Sequence, residues 1–168
     1  MLGKVLSKAS CAKCGFCCSF RRKSLWELPK MPAEFAEKYP KDMNGEPILY
    51  SFGEFDGVRY AVTELIGKYT TDDPEEEVRC PFLNHEIGCI LSDADKPFDC
   101  KIWPLRYMKM PDGALKVCLT PTCPEINNIP TEKMKELVSD GLGEKIAEYA
   151  KKYPFIIKEY KNGFIEMQ

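Results

Sequence analysis

Histidine occurs once in the 168 residues, at His85, so a single imidazole is available to a metal site or to act as a general base. Charge of one sign is not in excess either: 24 basic side chains face 26 acidic ones, for a net charge of -2, which gives no reason to expect nucleic acid or an anionic membrane surface as partner. No apolar run approaches the ~18 residues a membrane-spanning helix needs, and "MLGKVLSK" lacks the apolar core of a secretion signal. Internal repeats, low-complexity tracts and linkers long enough to separate domains are missing, so one domain over 1–168 is expected. No glycine-rich nucleotide fingerprint follows a strand pattern; "GLGEK" at 141–145 lies within a helical pattern. What remains is a globular composition, 44% hydrophobic and 30% charged, placed by these absences in the cytoplasm.

Against that background stand nine cysteines. In a reducing compartment dense cysteine reads as metal binding or redox chemistry, and an odd number cannot be fully paired within one chain. Four of them fall in the octet "CAKCGFCC", at Cys11, Cys14, Cys17 and Cys18. Two cysteines three positions apart let one backbone turn aim both sulfurs at a point, and Gly15 supplies the permissive dihedrals such a turn demands. The C-x2-C-x2-C run is how a bacterial ferredoxin motif begins, but Arg21 stands where its fourth cysteine would fall. Two remote Cys-Pro pairs, Cys80-Pro81 and Cys123-Pro124, offer a fourth ligand in the manner of two-cluster ferredoxins. A tetrahedral zinc accepts the same thiolates, so both metals stay open. Adjacent side chains project apart, so Cys18 is expected to face a second metal or to be a free thiol.

Thiolates around a metal leave net negative charge, and Lys13, Arg21, Arg22, Lys23, Arg79, Lys101 and Arg106 flank them in sequence as compensating cations. "RRK" at 21–23 could instead contact an anionic partner. Cys118 lies within a strand pattern, where a cysteine commonly packs as a small hydrophobe. For His85 a ligand role competes with that of a polar loop residue, and Trp26 and Trp103 could shield a metal or simply pack.

The fold class expected is α+β: short β-hairpins, a C-terminal helix and extensive cysteine-rich loops organised around metal. Pro32 opens a short helix to Glu37 or Lys38. A hairpin spans 47–66 about Asp56-Gly57, and a second spans 105–119 about "PDG". Residues 68–79 read as an exposed acidic loop and 80–104 as loops and turns. A helical pattern covers 131–152, kinked or divided by Gly141 and Gly143, and Asn162-Gly163 suggests a terminal hairpin.

"CAKCGFCC" followed by "CPFLNHEIGCILSDADKPFDCKIWP" resembles the YkgJ-like cysteine-cluster family, described as zinc- or iron-chelating domains. The resemblance covers 11–104, through Cys11, Cys14, Cys17 and Cys18, Cys80 with Phe82 and Leu83, Cys89 with Ile90, and Pro97, Cys100 and Pro104. Lys96-Pro97, Cys100-Lys101 and Leu91 depart from the Arg-Pro, Cys-Arg and tyrosine that the family often has. The resemblance implies a metal site of Cys11, Cys14, Cys17, Cys18, Cys80, Cys89 and Cys100, with Cys123 as an eighth ligand. The metal expected there is iron, preferably as an iron–sulfur cluster such as 4Fe–4S because the C-x2-C-x2-C run with remote Cys-Pro pairs fits it better, or zinc. Alternatives are an iron–sulfur-dependent protein-modifying enzyme, related to the flagellin lysine methylases that carry the motif in longer chains, and a structural zinc module for protein contacts. Neither a catalytic residue nor a particular protein partner or substrate is named by the sequence.

Overall fold

The computed structural model describes Leu2 and residues 7–168. A seven-residue helix α1 (Lys8–Cys14) opens on Ser7, whose hydroxyl accepts from the Ser10 amide at 3.0 Å, and closes on Gly15 in the left-handed region at φ 59°. That glycine lets the chain turn at once into a 3-10 turn over Phe16–Cys18, as its position after Cys14 predicts. The strand β1 (Ser19–Arg21) follows, then β2 (Met31–Pro32) and α2 (Glu34–Lys38). The first hairpin forms as the sequence indicates: β3 (Tyr50–Phe55) and β4 (Val58–Thr63) flank Asp56 and Gly57, both at positive φ, and β2 pairs with β4 on the far side.

The acidic segment is more than a loop. It ends in β5 (Glu77–Arg79), antiparallel to β1, because three basic residues after the cysteine octet meet three acidic ones before Cys80. Arg21 pairs with Glu75 and Glu77, Arg22 with Glu76, and Lys23 with Glu75. Residues 80–104 are irregular, with the two-residue strands β6 (Leu83–Asn84) and β7 (Gly88–Cys89) and the short helix α3 (Phe98–Ile102). A Cβ on Gly88 would come within 2.8 Å of the Ala12 Cβ, so this glycine is what allows β7 to lie against α1.

The second hairpin, β8 (Leu105–Lys109) and β9 (Leu115–Leu119), is the centre of a four-stranded sheet. The helical pattern resolves into α4 (Thr131–Leu137), a π turn over Val138–Leu142 and α5 (Gly143–Lys152), with Gly141 at φ 92° making the division. No terminal hairpin forms. Instead β10 (Lys158–Glu159) adds parallel to β8 and β11 (Ile165–Glu166) antiparallel to β9, one on each edge of the hairpin. Each edge of β8–β9 has backbone groups to pair, and this satisfies both. The class is α+β, with a C-terminal helical stretch packed on the sheet through Met134, Val138 and Ile146, and Phe155 of the following 3-10 turn in the same core. Among the described residues no helix is long and apolar enough to cross a membrane.

Candidate metal centre

Cys11 and Cys14 lie three positions apart on α1, which puts them on one face, and the Gly15 turn then delivers Cys17 and Cys18. The amide of Cys80 donates to the carbonyl of Cys18 at 2.8 Å, carrying the β1–β5 pairing one residue beyond the strands and fixing the second cysteine group against the first. Cys89 sits on β7 opposite Leu83, and Cys100 on α3, whose first turn bonds back to the carbonyl of Pro97. These segments enclose a cavity of about 470 Å³ lined by Cys11, Cys17, Cys18, Cys80, Cys89 and Cys100. Cys100 carries accessible surface yet has protein on every side, because that surface belongs to the cavity.

Cys14 and Cys123 are not on the cavity wall, but they are close enough to Cys11 and Cys17 for the charges to bear on one another. The structure therefore brings all eight sequence-predicted ligands into one neighbourhood. Cys118 is apart: fully buried, it packs with Met108 and Met110 beneath β9. His85 is exposed and lies beside Arg79, away from the cavity wall. Cys18 does not point away from Cys17, as adjacency suggested; the 3-10 turn sets both thiols on the same wall, within hydrogen-bonding reach of each other.

At four thiols of this wall, Cys11, Cys17, Cys80 and Cys100, the electrostatics favour the neutral form. Burial lifts Cys80 to about 12 and Cys100 well above the ordinary thiol value, with neighbouring cysteines adding to both. Cys17 is pushed up first by its hydrogen bond with Cys18 and then by burial, and Cys11 chiefly by burial. One cation opposes this from inside: Arg106, only 3% exposed, favours the thiolates of Cys17 and Cys100. Its guanidinium lies 4.5 Å from the Trp103 ring centroid and donates to the carbonyls of Asp99 and Leu105, while its Nε has no protein partner. Lys96 plays the weaker counterpart at Cys11.

Of the seven flanking cations, Arg106 is the one buried at the thiols. Arg21, Arg22 and Lys23 are committed to Glu75–Glu77, and Lys101 to the Ala94 carbonyl. Likewise Trp103 lines the cavity, whereas Trp26 packs against Lys161, 3.7 Å from its ring centroid. Sequence reasoning missed Lys158. Its buried Nζ donates to the carbonyls of Trp26 (2.7 Å) and Leu28 (3.3 Å), and an Arg106 nitrogen reaches the intervening Glu27 carbonyl (3.5 Å). Two buried cations thus hold the stretch that forms one side of the cavity. The one available signal was a lone lysine in the apolar run "PFIIKEY".

A sulfur-rich wall with a buried arginine suits a thiophilic cation, whose binding exchanges thiol protons for metal–sulfur bonds and leaves an anionic group for Arg106 to offset. Among the described residues no three Cys, His, Asp or Glu side chains already stand at metal-binding spacing. Drawing them onto a metal takes side-chain rotation or contraction of the wall. Compared with family models, curated proteins and solved structures, the chain matches none.

Proposed function

We propose that this chain is a metal-binding cysteine-cluster protein, taking up iron as an iron–sulfur cluster, or zinc, through Cys11, Cys14, Cys17, Cys18, Cys80, Cys89, Cys100 and Cys123. The observation that carries the reading is the gathering of six of these thiols, Cys11, Cys17, Cys18, Cys80, Cys89 and Cys100, on the wall of one cavity that is also lined by a buried arginine. Such a concentration of thiols around a cavity costs the fold good packing, and metal–sulfur bonds would offset that cost. The C-x2-C-x2-C run with its remote Cys-Pro pairs favours iron–sulfur over zinc. The resemblance to the YkgJ-like family points the same way, to a chelating domain working in a reducing cytoplasm with a protein partner or substrate.

With metal bound, Arg106 would hold a positive charge against the thiolates of Cys17 and Cys100, and the Trp103 ring, 4.5 Å from the guanidinium, would shield that charge from water. A bound cluster would supply one-electron chemistry or a Lewis-acidic iron; zinc would supply structure. The test is anaerobic purification followed by iron, zinc and acid-labile sulfide analysis, with visible and paramagnetic resonance spectra. Brown protein with iron and sulfide in equal amounts is the expected result. Colourless protein with stoichiometric zinc and no iron would sink the iron reading, and protein free of both metals would sink the proposal.

A further inference from the structure

The three-stranded sheet β2–β4–β3 ends on β3, a six-residue strand with which no further strand pairs among the described residues. The hairpin register decides which of its backbone groups are left over. The Glu64 amide donates to the Leu49 carbonyl at 2.8 Å, which marks Leu49–Glu64 as a hydrogen-bonded pair, and the ladder alternates from there. Leu49, Ser51, Gly53 and Phe55 therefore bond inward to β4, while the amides and carbonyls of Tyr50, Phe52 and Glu54 point outward. Every other edge strand among the described residues is two or three residues long, and β2 ends on Pro32. No such protection is built into β3. It has no proline, lysine or bulge, and it exposes Phe52 (55%) and Phe55 (42%), continued by Leu49 (69%).

We propose that β3 pairs antiparallel with β3 of a second copy of this chain, about a two-fold axis at Phe52, joining two three-stranded sheets into one of six strands. The strand's own register selects this occupant. With Phe52 opposite the second copy's Phe52, Tyr50 meets Glu54 and Glu54 meets Tyr50, so all three outward-facing residues exchange hydrogen bonds at once. The same alignment sets Leu49 opposite Phe55 at both ends, so the three exposed apolar side chains cover one another. Charge fits as well: Glu54 faces an uncharged tyrosine rather than the other Glu54, and keeps Arg59 on its inner side. Sliding the strands by two residues either way leaves Tyr50 or Glu54 without a partner in the strand and separates Leu49 from Phe55. The contact is isologous, each copy giving what it receives. Met31 and Thr63, on the Phe52 face of the sheet, line the thiol cavity, so the two cavities lie on one side of the joined sheet. The pairing does not depend on the metal-binding reading.

Sedimentation of the reduced full chain over a range of concentrations tests it, with the fold of each variant checked by circular dichroism. The wild type is expected to reach twice the chain mass. Phe52→Lys and Phe52→Glu, at an exposed side chain, are each expected to stay at one chain mass, because the axis sets like charges face to face. An equimolar mixture of the two is expected to regain the double mass, since opposite charges then meet at the axis. If a Phe52 variant does not fold, Leu49→Lys takes its place and is expected to weaken the pairing at both ends. Amide exchange reads the register: protection at Tyr50, Phe52 and Glu54 is expected in the wild type and lost in Phe52→Lys, while Ser51, Gly53 and Phe55 stay protected in both. A wild type that stays at one chain mass, with fast-exchanging Tyr50, Phe52 and Glu54 amides, would overturn the proposal and leave this edge to a strand of another protein. A double mass that survives Phe52→Lys, or a mixture that fails to associate, would overturn it too, by removing the axis from Phe52.

Discussion

From Leu105 to Met167 the chain buries a continuous apolar core, in which Leu105, Met134, Ile146 and Phe155 are sealed from solvent between the four-stranded sheet and the C-terminal helices. From Cys11 to Cys100 only Phe98 joins that core, with Val58 and Tyr60 packed against it, and two small clusters form besides, one around Phe20, Leu65 and Tyr69 and one around Ile48, Phe82 and Leu91. Strands of two or three residues carry most of this half outside the β3–β4 hairpin, and the ion pairs that tie β1 to β5 are largely exposed, each worth at most about 1 kcal/mol. At roughly 25 cal/mol per Å² of buried apolar surface, the first region holds itself together and the second does so poorly. The contrast teaches where the proposed metal contributes: it replaces, around the thiols, the core that the other half already has.

The sharpest way to break this comparison is to strip metal. Treatment of the loaded protein with a strong chelator is expected to abolish amide-exchange protection across 8–18 and 80–102, while 105–119 and 143–152 stay protected. Uniform loss across both halves would show one cooperative unit. Phe155→Ala attacks the other half. Truncating this fully buried ring is expected to cost about 3–5 kcal/mol in urea unfolding. Metal per folded molecule should not change.

A smaller effect joins the two halves. Burial holds Lys158 down to about 8, whereas an unfolded lysine keeps its proton to about 10.4. Between those values the unfolded chain binds more protons, so this residue makes stability rise with pH from about 8 to about 10.4. Lys158→Met should flatten that rise by roughly 1–3 kcal/mol, read as the difference between variant and wild type so that the opposing loss from raised thiols such as Cys80 cancels. Smallest is Cys118→Ala, which removes a sulfur from the packed side of β9. It is expected to cost about 1 kcal/mol, measured by urea unfolding, with metal content unchanged; a fall in metal would move Cys118 into the site.

Hairpins about Asp56-Gly57 and Pro111-Asp112-Gly113, the division of the long helix at Gly141 and the turn at Gly15 were legible because each depends on a few adjacent residues. So was the clustering of Cys11, Cys14, Cys17 and Cys18, which the repeated spacing of the octet exposes. Long-range pairing was not. β1 and β5 meet because charges 52 to 56 positions apart match, and nothing local to "RRK" says that its partners are "EEE" rather than thiolates. The terminal strands misled for the same reason: Asn162-Gly163 does turn the chain, but each flanking strand found a better edge on β8 or β9 than on the other. Lys158 could not be read from its surroundings, since the carbonyls it holds lie about 130 positions earlier.

That last separation sets a timetable for the molecule during synthesis. Translation adds about 5–20 residues per second, so the 35 residues between Cys123 and Lys158 take roughly two to seven seconds to make. For that interval all nine cysteines have been made, while the lysine that grips the Trp26 and Leu28 carbonyls has not. On the nascent chain the stretch that forms one side of the thiol cavity is therefore held by Arg106 before it is held by Lys158, so that side gains its second buried cation only seconds after the last thiol has been added.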